Sequence, residues 1–587
     1  MNKKIGVFVA WPYANGPLHL GHIAGAYLTA DIFARFNRLV GNDVLMVSGS
    51  DSHGTPVTVT ADEEGKTARQ VFEESHATFL EAWQKLGISF DLFTHTDTEN
   101  HWAVAQDFFK RLLEKEGLYR ATEKQVFCET DGRFLPDRYI GGECPYCHFP
   151  RARGDQCDNC GRVLDATELI APKCKLAKPG ETHKLLVRES EQFYLDLTAF
   201  EKKLLAYLAD KDAYWKSNVL AFVRNWLQAG LHGRAITRDM DWGIKLPIPG
   251  FDSKRIYVWF EAVIGYYSAS VEWARNRGTP DKWKEWWTKD ENVRGYYFVG
   301  KDNIPFHTII WPAMLLGYDE NLPLPYDVPA NEFLNLEGRK FSKSEHWAVW
   351  INDYLRSYDP DPLRYLLSAN MPEFADTDFT WKEFVRRNND ELIANWGNLA
   401  NRVLTFTYKN FEQRVPTPGE LNDADRALLT KSEDAFASVG DALGRVRFKE
   451  AIGIAVDLAR EANQYLQITE PWKTIKVDRV RAATSLYVSL TVIDNLKTLF
   501  YPFLPFSSND LHRQLGYDGD LLGEIKIETF QESTRSHTAA VYHPGKHSQK
   551  WEPSQLKPGQ TLREPKALFK KLEEKIAEEE KAKLGKA

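Results

Sequence analysis

The sequence predicts an α/β protein with a doubly wound, Rossmann-type parallel sheet that is followed by an α-helical bundle. Uncharged apolar runs at residues 5–10 and 44–47 are typical of buried parallel strands. A helical period follows the first run, which indicates the alternation of strand and helix that builds such a sheet. After Trp381 the period becomes helical, with long stretches at 425–470 and 479–500 that predict a bundle.

Composition shifts divide the chain into six segments. Further strands are expected at 256–259 and 296–300, so the sheet is built by two halves that are distant in sequence. The lysine-rich tail from 566 fits a solvated, frayed helix and a docked helix equally well. The segments are 1–118 and 231–326 (sheet halves), 119–230 (insertion), 327–380 (linking module), 381–535 (helical domain) and 536–587 (extended strap and tail).

Composition excludes some classes of protein. The 587 residues are 43% hydrophobic, which is ample for several packed cores. No run of 18 uncharged apolar residues and no signal peptide are evident, so a cytoplasmic location is expected. The formal charge of −7 argues against a wholly basic nucleic-acid binder, and any RNA contact is expected to be local.

Four cysteines in a C-x2-C-x9-C-x2-C array predict a structural metal site within the insertion. Four thiolates close a tetrahedron around one zinc and leave no position open for water. Two disulfides are the alternative, but these fit poorly with an intracellular chain. Cys128 and Cys174 lie outside the spacing and are interpreted as buried or incidental thiols. The predicted zinc ligands are Cys144, Cys147, Cys157 and Cys160.

Two short signatures predict that the chain handles a triphosphate. In the first, His19 and His22 stand where a helix begins. Free backbone N–H groups and the two imidazoles would donate hydrogen bonds to phosphate oxygens there. Gly21 would allow a flat nucleotide base to lie against the backbone. In the second, Lys340 and Lys343 lie on a loop whose glycine permits movement. Their ammonium groups would stabilise negative charge as it moves onto a leaving pyrophosphate. Nucleotidyl transfer is the chemistry indicated. The signatures are PLHLGH at 17–22 and KFSKS at 340–344.

This pair resembles the HIGH and KMSKS signatures of the class I aminoacyl-tRNA synthetases. Four further blocks narrow the resemblance to the methionyl-tRNA synthetases, from about residue 5 to about residue 500. The leucyl, isoleucyl and valyl enzymes remain alternatives, as do a non-synthetase nucleotidyltransferase and a zinc-stabilised RNA-binding or scaffold protein. The blocks are WPYANG at 11–16, DSHGTP at 51–56, YVWFEAVIGY at 257–266 and GKDNIPFH at 300–307.

The resemblance implies a methionine–tRNA ligase that forms methionyl-adenylate from L-methionine and ATP with Mg²⁺. The enzyme then transfers methionine to tRNA(Met) and releases AMP and pyrophosphate. Catalytic roles fall on His19, His22, Lys340, Lys343 and Arg238, although Arg238 fits a domain-bridging salt bridge equally well. The implied ATP-binding residues are Asn15, Gly16, His19, Gly21, His22, Gly300, Lys301, Asp302, Lys340 and Lys343.

Methionine selection requires an apolar pocket and one negative charge for the ammonium group. Asp51, at a strand end beside the first signature, is the natural acceptor. A thioether favours aromatic edges, and Tyr13 or His307 would offer a weak hydrogen bond to sulfur. Val263 stands where several relatives have proline, and Asn303 where some have isoleucine. The resemblance therefore does not fix the residues at the edge of the pocket. The resemblance implies that the pocket is formed by Ala10, Trp11, Tyr13, Trp259, Ala262, Val263, Tyr266, Ile304, Phe306, His307 and Trp311.

The helical domain would supply the tRNA contact. The segment 398–402 resembles the anticodon-reading helix of the family, with Asn398 and Arg402 four residues apart on one face. Trp472 would stack on an unpaired base. The chain lacks the extra C-terminal dimer module of some relatives, so a monomer is expected. A sedimentation mass near twice 67.4 kDa would contradict this expectation.

Overall fold

The computed structural model describes residues 2–136, 139–154, 157, 159–160, 162, 164–178, 180–343, 345–545 and 550–586. No helix within these ranges is long and apolar enough to cross a membrane. The strands are β1 Lys4–Val9, β2 Asp43–Ser50, β3 Leu92–His95, β4 Leu118–Cys128, β5 Arg133–Phe134, β6 Ile140–Glu143, β7 Ala152–Arg153, β8 Ile170–Cys174, β9 Leu185–Leu195, β10 Arg234–Ala235, β11 Thr237–Asp239, β12 Lys254–Ile256, β13 Val293–Gly300, β14 Ala330–Asn331, β15 Leu334–Leu336, β16 Thr377–Phe379, β17 Glu524–Gln531 and β18 Ser536–His543.

Helices pack on both faces of the main sheet and form the C-terminal bundle. Three π-helical segments, Ile23–Tyr27, Phe306–Ile310 and Arg387–Gly397, continue directly into α-helices. The α-helices are α1 Leu20–His22, α2 Leu28–Val40, α3 Thr55–Glu64, α4 Ala68–Leu86, α5 Glu99–Glu114, α6 Glu201–Leu208, α7 Ser217–Ala229, α8 Val258–Asn276, α9 Trp311–Tyr318, α10 Ile351–Ser357, α11 Pro360–Ala369, α12 Trp381–Arg386, α13 Asn398–Asn410, α14 Asp423–Gly444, α15 Phe448–Thr469, α16 Pro471–Thr474, α17 Arg479–Phe500, α18 Pro505–Gln514 and α19 Lys575–Lys581.

The main sheet has the strand order β14-β13-β1-β2-β3-β18-β17. Its first five strands are parallel, and the chain passes from β1 outward to β3 before it returns to the other side of β1 as β13. The strand order therefore reverses between β1 and β13, and the carboxyl ends of strands at such a switch point form a ligand crevice. The predicted Rossmann-type sheet is confirmed.

One strand expectation was wrong. Residues 256–259 were expected to form a strand, but β12 ends at Ile256 and helix α8 begins at Val258. The run is apolar because α8 is buried almost all round, and buried strands and buried helices share that composition. Trp259 therefore lies in the first turn of a helix.

The C-terminal hairpin also departs from the sequence interpretation. Strands β17 and β18 pair antiparallel over eight residues, and β18 pairs with β3 at Ala540 and Phe93. A hairpin thus extends the main sheet, where the sequence indicated helical chain up to 535 and then an extended strap. The hairpin covers the edge of β3, which would otherwise expose unpaired backbone groups.

The sheet and the helical bundle share one apolar core, and a buried ion cluster joins them. Asp31 on α2 accepts from Arg35 Nε at 2.9 Å and from Arg364 Nη2 at 2.6 Å. Arg364 also donates to the carbonyl oxygen of Phe503, just after α17, at 2.8 Å. Although burial opposes ionisation, the two guanidinium groups lower the pKa of Asp31 to about 2. The cluster ties the linking module to both larger parts.

The tail is docked, and only part of it is helical. Leu572 N donates to Asn389 Oδ1 at 3.0 Å, and the ring of Phe569 packs on Gly397. Tyr358 donates to Glu580 on α19 at 2.8 Å. Of the two interpretations that the sequence left open, docking is confirmed.

Candidate functional site

The two histidines of the first signature cap the start of their own helix. His19 Nδ1 accepts from Gly21 N at 3.1 Å, and His22 Nδ1 accepts from His19 N at 3.1 Å. Leu20 N donates to Val349 O at 3.1 Å. The expectation of free backbone N–H groups was therefore wrong, because these groups already have partners.

This capping decides which ring nitrogen carries the proton. A neutral imidazole whose Nδ1 accepts holds its proton on Nε2. Burial lowers the pKa of His19 well below its usual value and that of His22 to about 3. Both rings are neutral at pH 7 and present Nε2–H donors to the cleft.

The lysine loop closes over these rings. The ring of Phe341 stacks on His19 with centroids 4.5 Å apart, and Lys343 Nζ lies 3.2 Å from Asn15 Oδ1. Burial lowers the pKa of Lys343 to about 8. Lys340 lies on the same loop and is more exposed, while Ser344 of this signature falls outside the described residues. The structure brings together two signatures that are more than 300 residues apart.

A cleft of about 510 Å³ runs along the switch point. Sequence reasoning missed Glu332, Phe333 and Asn335, which precede the lysine loop and line the cleft, because they belong to none of the motifs. Of the predicted ATP-binding residues, eight line this cleft: Asn15, His19, Gly21, His22, Gly300, Asp302, Lys340 and Lys343. Gly16 borders it, since a Cβ on Gly16 would lie 3.7 Å from Lys343 Nζ.

Lys301 does not line the cleft. Its Nζ contacts Glu332 at 2.7 Å and Asp376 at 2.8 Å, and it packs over the ring of Phe333. Lys301 therefore joins β13 to the linking module. Its neighbour Asp302 does line the cleft, and burial raises the pKa of that carboxyl.

An aromatic wall continues the cleft beyond the histidines. Trp259 stacks on Phe306 with centroids 4.2 Å apart, and Tyr13 meets Trp259 edge-on at 5.9 Å. The indole of Trp11 stands over Gly49 and Gly265, where an added Cβ would approach it to 2.3 and 2.6 Å. Two glycines thus make room for one cleft-lining side chain.

The hydrogen bonds of His307 are already used. Its Nδ1 donates to Asn303 O at 2.9 Å, so its Nε2 accepts from the Tyr266 hydroxyl at 2.7 Å. Burial lowers the pKa of His307 to about 4. The expected His307 contact with sulfur therefore has no donor in this arrangement, and Tyr13 remains the candidate. Of the other predicted pocket residues, Ala262, Val263 and Tyr266 lie on α8 and Ile304 follows β13, and none of these four lines the cleft.

Trp311 is a core residue here. Its side chain is fully buried, it donates to the Tyr297 hydroxyl at 3.1 Å, and it packs on Phe108. The grouping of aromatic residues at strand ends in the sequence did not distinguish a cleft wall from the layer behind it, because both contain indoles. Trp311 supports the wall from within.

A buried acid–base network lies behind Asp51. His53 Nδ1 is 2.9 Å from Glu261 Oε1, and His101 Nε2 is 3.1 Å from Glu261 Oε2. Burial and the nearby charge of Glu261 raise the pKa of Asp51 well above its usual value. Burial would lower the pKa of His53, but Glu261 and Asp97 raise it to about 10. His53 is therefore an imidazolium beside two carboxylates, and the sequence signal for it was the DSHG block.

Arg238 borders a different cavity. It stacks over the ring of Tyr257 at 4.2 Å and donates to Thr237 O. This cavity of about 640 Å³ lies between the insertion and the sheet domain, and it shares Tyr13 and Trp259 with the cleft. Arg238 stands across that shared wall from the histidines.

In the helical domain, two of the three predicted anticodon residues are in contact. The Arg402 guanidinium lies 4.8 Å over the ring of Trp472, and Asn398 is exposed one turn earlier on α13. Three exposed apolar side chains, missed in the sequence, lie nearby in the chain: Ile468, Val477 and Val480.

The four-cysteine array converges at the end of β6. The sulfurs of Cys144 and Cys160 are 3.9 Å apart, and those of Cys147 and Cys157 are 3.6 Å apart. A zinc tetrahedron with bonds of about 2.3 Å has edges of about 3.8 Å, so the donor set fits a structural zinc. All four cysteines are free thiols, which contradicts the disulfide alternative.

A switch-point cleft that joins both signatures defines a class I tRNA synthetase, and the family model described as tRNA synthetases class I (M) matches residues 5–404. A second model, the anticodon binding domain of methionyl tRNA ligase, matches residues 415–587. The methionine–tRNA ligase of Thermomicrobium roseum is 56% identical over all of this chain and 99% of its own length. Those of Roseiflexus castenholzii and Dehalococcoides mccartyi are 53% and 51% identical over 100% of this chain and 99% and 100% of their own lengths.

Solved structures agree with these sequence matches. Methionyl-tRNA synthetase from Mycobacterium tuberculosis in complex with methionyl-adenylate superimposes with a TM-score of 0.76 at 25% identity, over 97% of this chain and 99% of that one. The free-state form of that enzyme gives a TM-score of 0.68 at 23% identity, over 98% and 99%. The chain belongs to the methionyl-tRNA synthetase family, the methionine–tRNA ligases.

Proposed function

We propose that this protein activates L-methionine with ATP to form methionyl-adenylate and transfers methionine to tRNA(Met), releasing AMP and pyrophosphate. The observation that carries the proposal is a single cleft that is lined both by the histidines and lysines of the two signatures and by the aromatic side chains of Trp11, Tyr13 and Trp259. The buried Asp51 pairs through its backbone with Tyr13 of this wall. Family membership supports the same reaction. The leucyl, isoleucyl and valyl alternatives, the other nucleotidyltransferases and a scaffold role are not favoured by these relatives.

In the first step the methionine carboxylate attacks the α-phosphorus of ATP. Two neutral imidazoles donate Nε2–H bonds to phosphate oxygens, while the Lys343 and Lys340 ammonium groups stabilise charge as it moves onto pyrophosphate. Mg²⁺ enters with ATP. The groups are rigid before the reaction, because the capping bonds of His19 and His22 fix both rings. The Asp302 carboxylate would accept from the ribose hydroxyls.

Asp51 selects the amino group of the substrate. Its ionised form is disfavoured in the free protein by burial and by Glu261. An incoming ammonium group supplies the missing positive charge and favours the carboxylate, so cation binding and ionisation of Asp51 are coupled. Trp259, Tyr13 and Trp11 would enclose the thioether.

In the second step a ribose hydroxyl of the tRNA takes the methionyl group. We infer that Asn398 and Arg402 read base edges in the anticodon loop while Trp472 stacks on an unpaired base. The stacked Arg402–Trp472 pair supports this role, since it prepares a flat cationic surface. The four-cysteine site would hold a structural zinc that folds the insertion.

Pyrophosphate exchange tests the proposal directly. The protein, Mg²⁺, ATP and labelled pyrophosphate are incubated with each amino acid in turn. Label is expected to enter ATP with methionine alone, because only a bound methionine carboxylate completes the reversible step. Exchange with leucine, isoleucine or valine, or with no amino acid, would refute the methionyl assignment.

A further inference from the structure

The turn of the C-terminal hairpin reaches the buried acid–base network of the sheet domain. The turn joins β17 to β18 and is closed by Glu532 N, which donates to Arg535 O at 2.7 Å. It lies on the start of α5, where the Glu99 carboxylate accepts from Ser533 N at 2.9 Å and from Thr534 N at 3.0 Å. Two segments that are 434 residues apart in sequence are thus fixed to each other.

Arg535 of this turn is held in a defined orientation. Its Nη1 donates to Asp97 Oδ2 at 3.0 Å, and its Nη2 donates to the backbone carbonyl oxygen of Asp97. The guanidinium group also lies 4.3 Å from the ring centre of Trp102. Arg69 on α4 contacts the same Asp97 oxygen at 2.7 Å, but its side chain is 42% exposed, against 21% for Arg535. Arg535 is therefore the more buried of the two arginine partners.

Asp97 connects the turn to His53. Asp97 is buried, and its Oδ1 lies 3.5 Å from His53 Nε2. The other ring nitrogen, Nδ1, lies 2.9 Å from Glu261 Oε1. Although burial opposes ionisation, His53 and the two arginines, Arg535 and Arg69, lower the pKa of Asp97. A carboxylate at each nitrogen fixes the orientation of the imidazolium ring.

His53 in turn acts on Asp51, the expected acceptor of the substrate ammonium group. His53 N donates to Asp51 Oδ1 at 3.4 Å. Burial and the charge of Glu261 raise the pKa of Asp51, and the charge of His53 lowers it. His53 therefore supplies both a hydrogen bond and a compensating charge to the carboxylate that meets the substrate.

We propose that Arg535 is a positioning residue for the amino-acid substrate. It holds Asp97 against His53, and His53 fixes the Asp51 carboxylate for the ammonium group. This inference rests on the proposed activation of methionine, and it adds the C-terminal hairpin to the parts of the chain that build the pocket. Without Arg535, the more exposed Arg69 would be the arginine partner of Asp97, and the carboxylate would turn away from His53.

Steady-state pyrophosphate exchange with the full-length protein tests the proposal. In Arg535→Met, the KM for methionine is expected to rise about tenfold, while the KM for ATP and kcat stay within about twofold of wild type. The reason is that Arg535 acts on the carboxylate that binds the ammonium group and on no group that binds ATP. A purely structural role would lower the folded fraction and reduce the apparent kcat at unchanged KM. An unchanged KM for methionine, or equal rises in both KM values, would overturn the proposal.

A conservative variant and a matched control accompany this measurement. Arg535→Lys keeps the charge but loses one of the two contacts with Asp97, so the KM for methionine is expected to rise about threefold. This variant decides the question if Arg535→Met does not fold, because an unchanged KM would overturn the proposal here too. The control is His543→Ala, which removes a partly exposed ion pair with Glu528 in the same hairpin and should leave all three constants unchanged. A similar rise in the control would refute a specific role for Arg535.

A double-mutant cycle locates the link. Asp97→Asn is expected to raise the KM for methionine about tenfold, and adding Arg535→Met should raise it by less than about twofold more, since both changes remove one contact. Independent effects that multiply to about a hundredfold would show that Arg535 does not act through Asp97 and would overturn the proposal.

The wild-type protein separates this test from that of the proposed function. Wild-type protein without methionine-dependent exchange would refute the proposed function and this inference together. Active wild-type protein with an unaltered KM for methionine in Arg535→Met would refute this inference alone.

Discussion

At the scale of single residues, hydrogen bonds decide which atoms are available for chemistry. His19 and His22 use Nδ1 for capping and keep Nε2–H for a ligand, whereas His307 uses both nitrogens within the protein. All three rings were predicted as site residues from their positions in motifs. The motif determines where a histidine lies, but the neighbouring backbone determines its tautomer.

Lys343→Ala is expected to slow adenylate formation far more than it weakens ATP binding. The buried ammonium group beside Asn15 acts mainly once charge develops on pyrophosphate. Removing one such donor costs about 3 kcal/mol in the barrier, roughly a hundredfold in rate. Single-turnover kinetics with ATP titration measure both effects, and Lys382→Ala, a solvent-exposed lysine outside the cleft, is the control. Equal losses in affinity and rate would indicate simple substrate binding.

In the His76→Asn variant, the free energy of unfolding is expected to fall less steeply as the pH is lowered. His76 is buried between Ser50 and the carbonyl oxygen of Thr538, and burial lowers its pKa to about 4. Below the unfolded-state pKa of about 6.5 the unfolded chain binds an extra proton, so this group lowers the free energy of unfolding as pH falls towards 4.

In the wild-type protein this group changes the free energy of unfolding by up to about 1.4 kcal/mol per pH unit between pH 6 and 4.5. The variant should lack this contribution. Urea unfolding across this pH range measures it. His148→Asn, at an exposed histidine, is the control. An identical slope in wild type and His76→Asn would mean that this ring is protonated in the folded protein.

At the scale of elements, the hairpin β17–β18 shows where local pattern was insufficient. Residues 524–531 alternate apolar and polar side chains over most of their length, as a strand would. The sequence interpretation nevertheless included them in the helical domain 381–535. Their direct partner is β18, and β18 in turn pairs with β3, more than 400 residues earlier. Strand pairing over such a separation leaves no local signal.

Trp472→Ala distinguishes an RNA-binding element from a core element. If α16 presents the indole to an unpaired base, tRNA charging should fall by about 1 to 3 kcal/mol while methionine-dependent pyrophosphate exchange stays unchanged. The half-exposed ring under Arg402 supports this outcome.

The matched control is Trp396→Ala, a fully buried indole of the same domain. Its loss should cost about 3 to 5 kcal/mol of fold stability without a selective charging defect. A Trp472→Ala protein that melts early but charges normally per folded molecule would exclude anticodon contact.

At the scale of the whole molecule, a buried ion cluster joins the sheet domain, the linking module and the bundle. Arg364→Met is expected to destabilise the protein by about 3 to 5 kcal/mol, because it removes one partner of Asp31 and leaves three backbone carbonyl groups without this donor. The midpoint of urea unfolding measures this loss. Arg356→Met, whose exposed ion pair with Asp353 contributes little, is the control. Similar midpoints for both variants would mean that the buried cluster adds no net stability.

The sequence by itself determined the fold class, both signatures and the four cysteines of the C-x2-C array that the structure brings together. These follow from short-range rules: apolar runs, ligand spacing and motif chemistry are local properties of the chain. The resemblance to the methionyl-tRNA synthetases extended them to the reaction, and the comparisons agree.

Only the tertiary structure decided the rest. It separated Trp311 in the core from Trp259 in the cleft, turned Lys301 towards Glu332, and brought Cys128 to Cys174. Each of these outcomes depends on contacts between residues far apart in sequence. Such contacts are selected by packing of the complete core, and no local pattern encodes them.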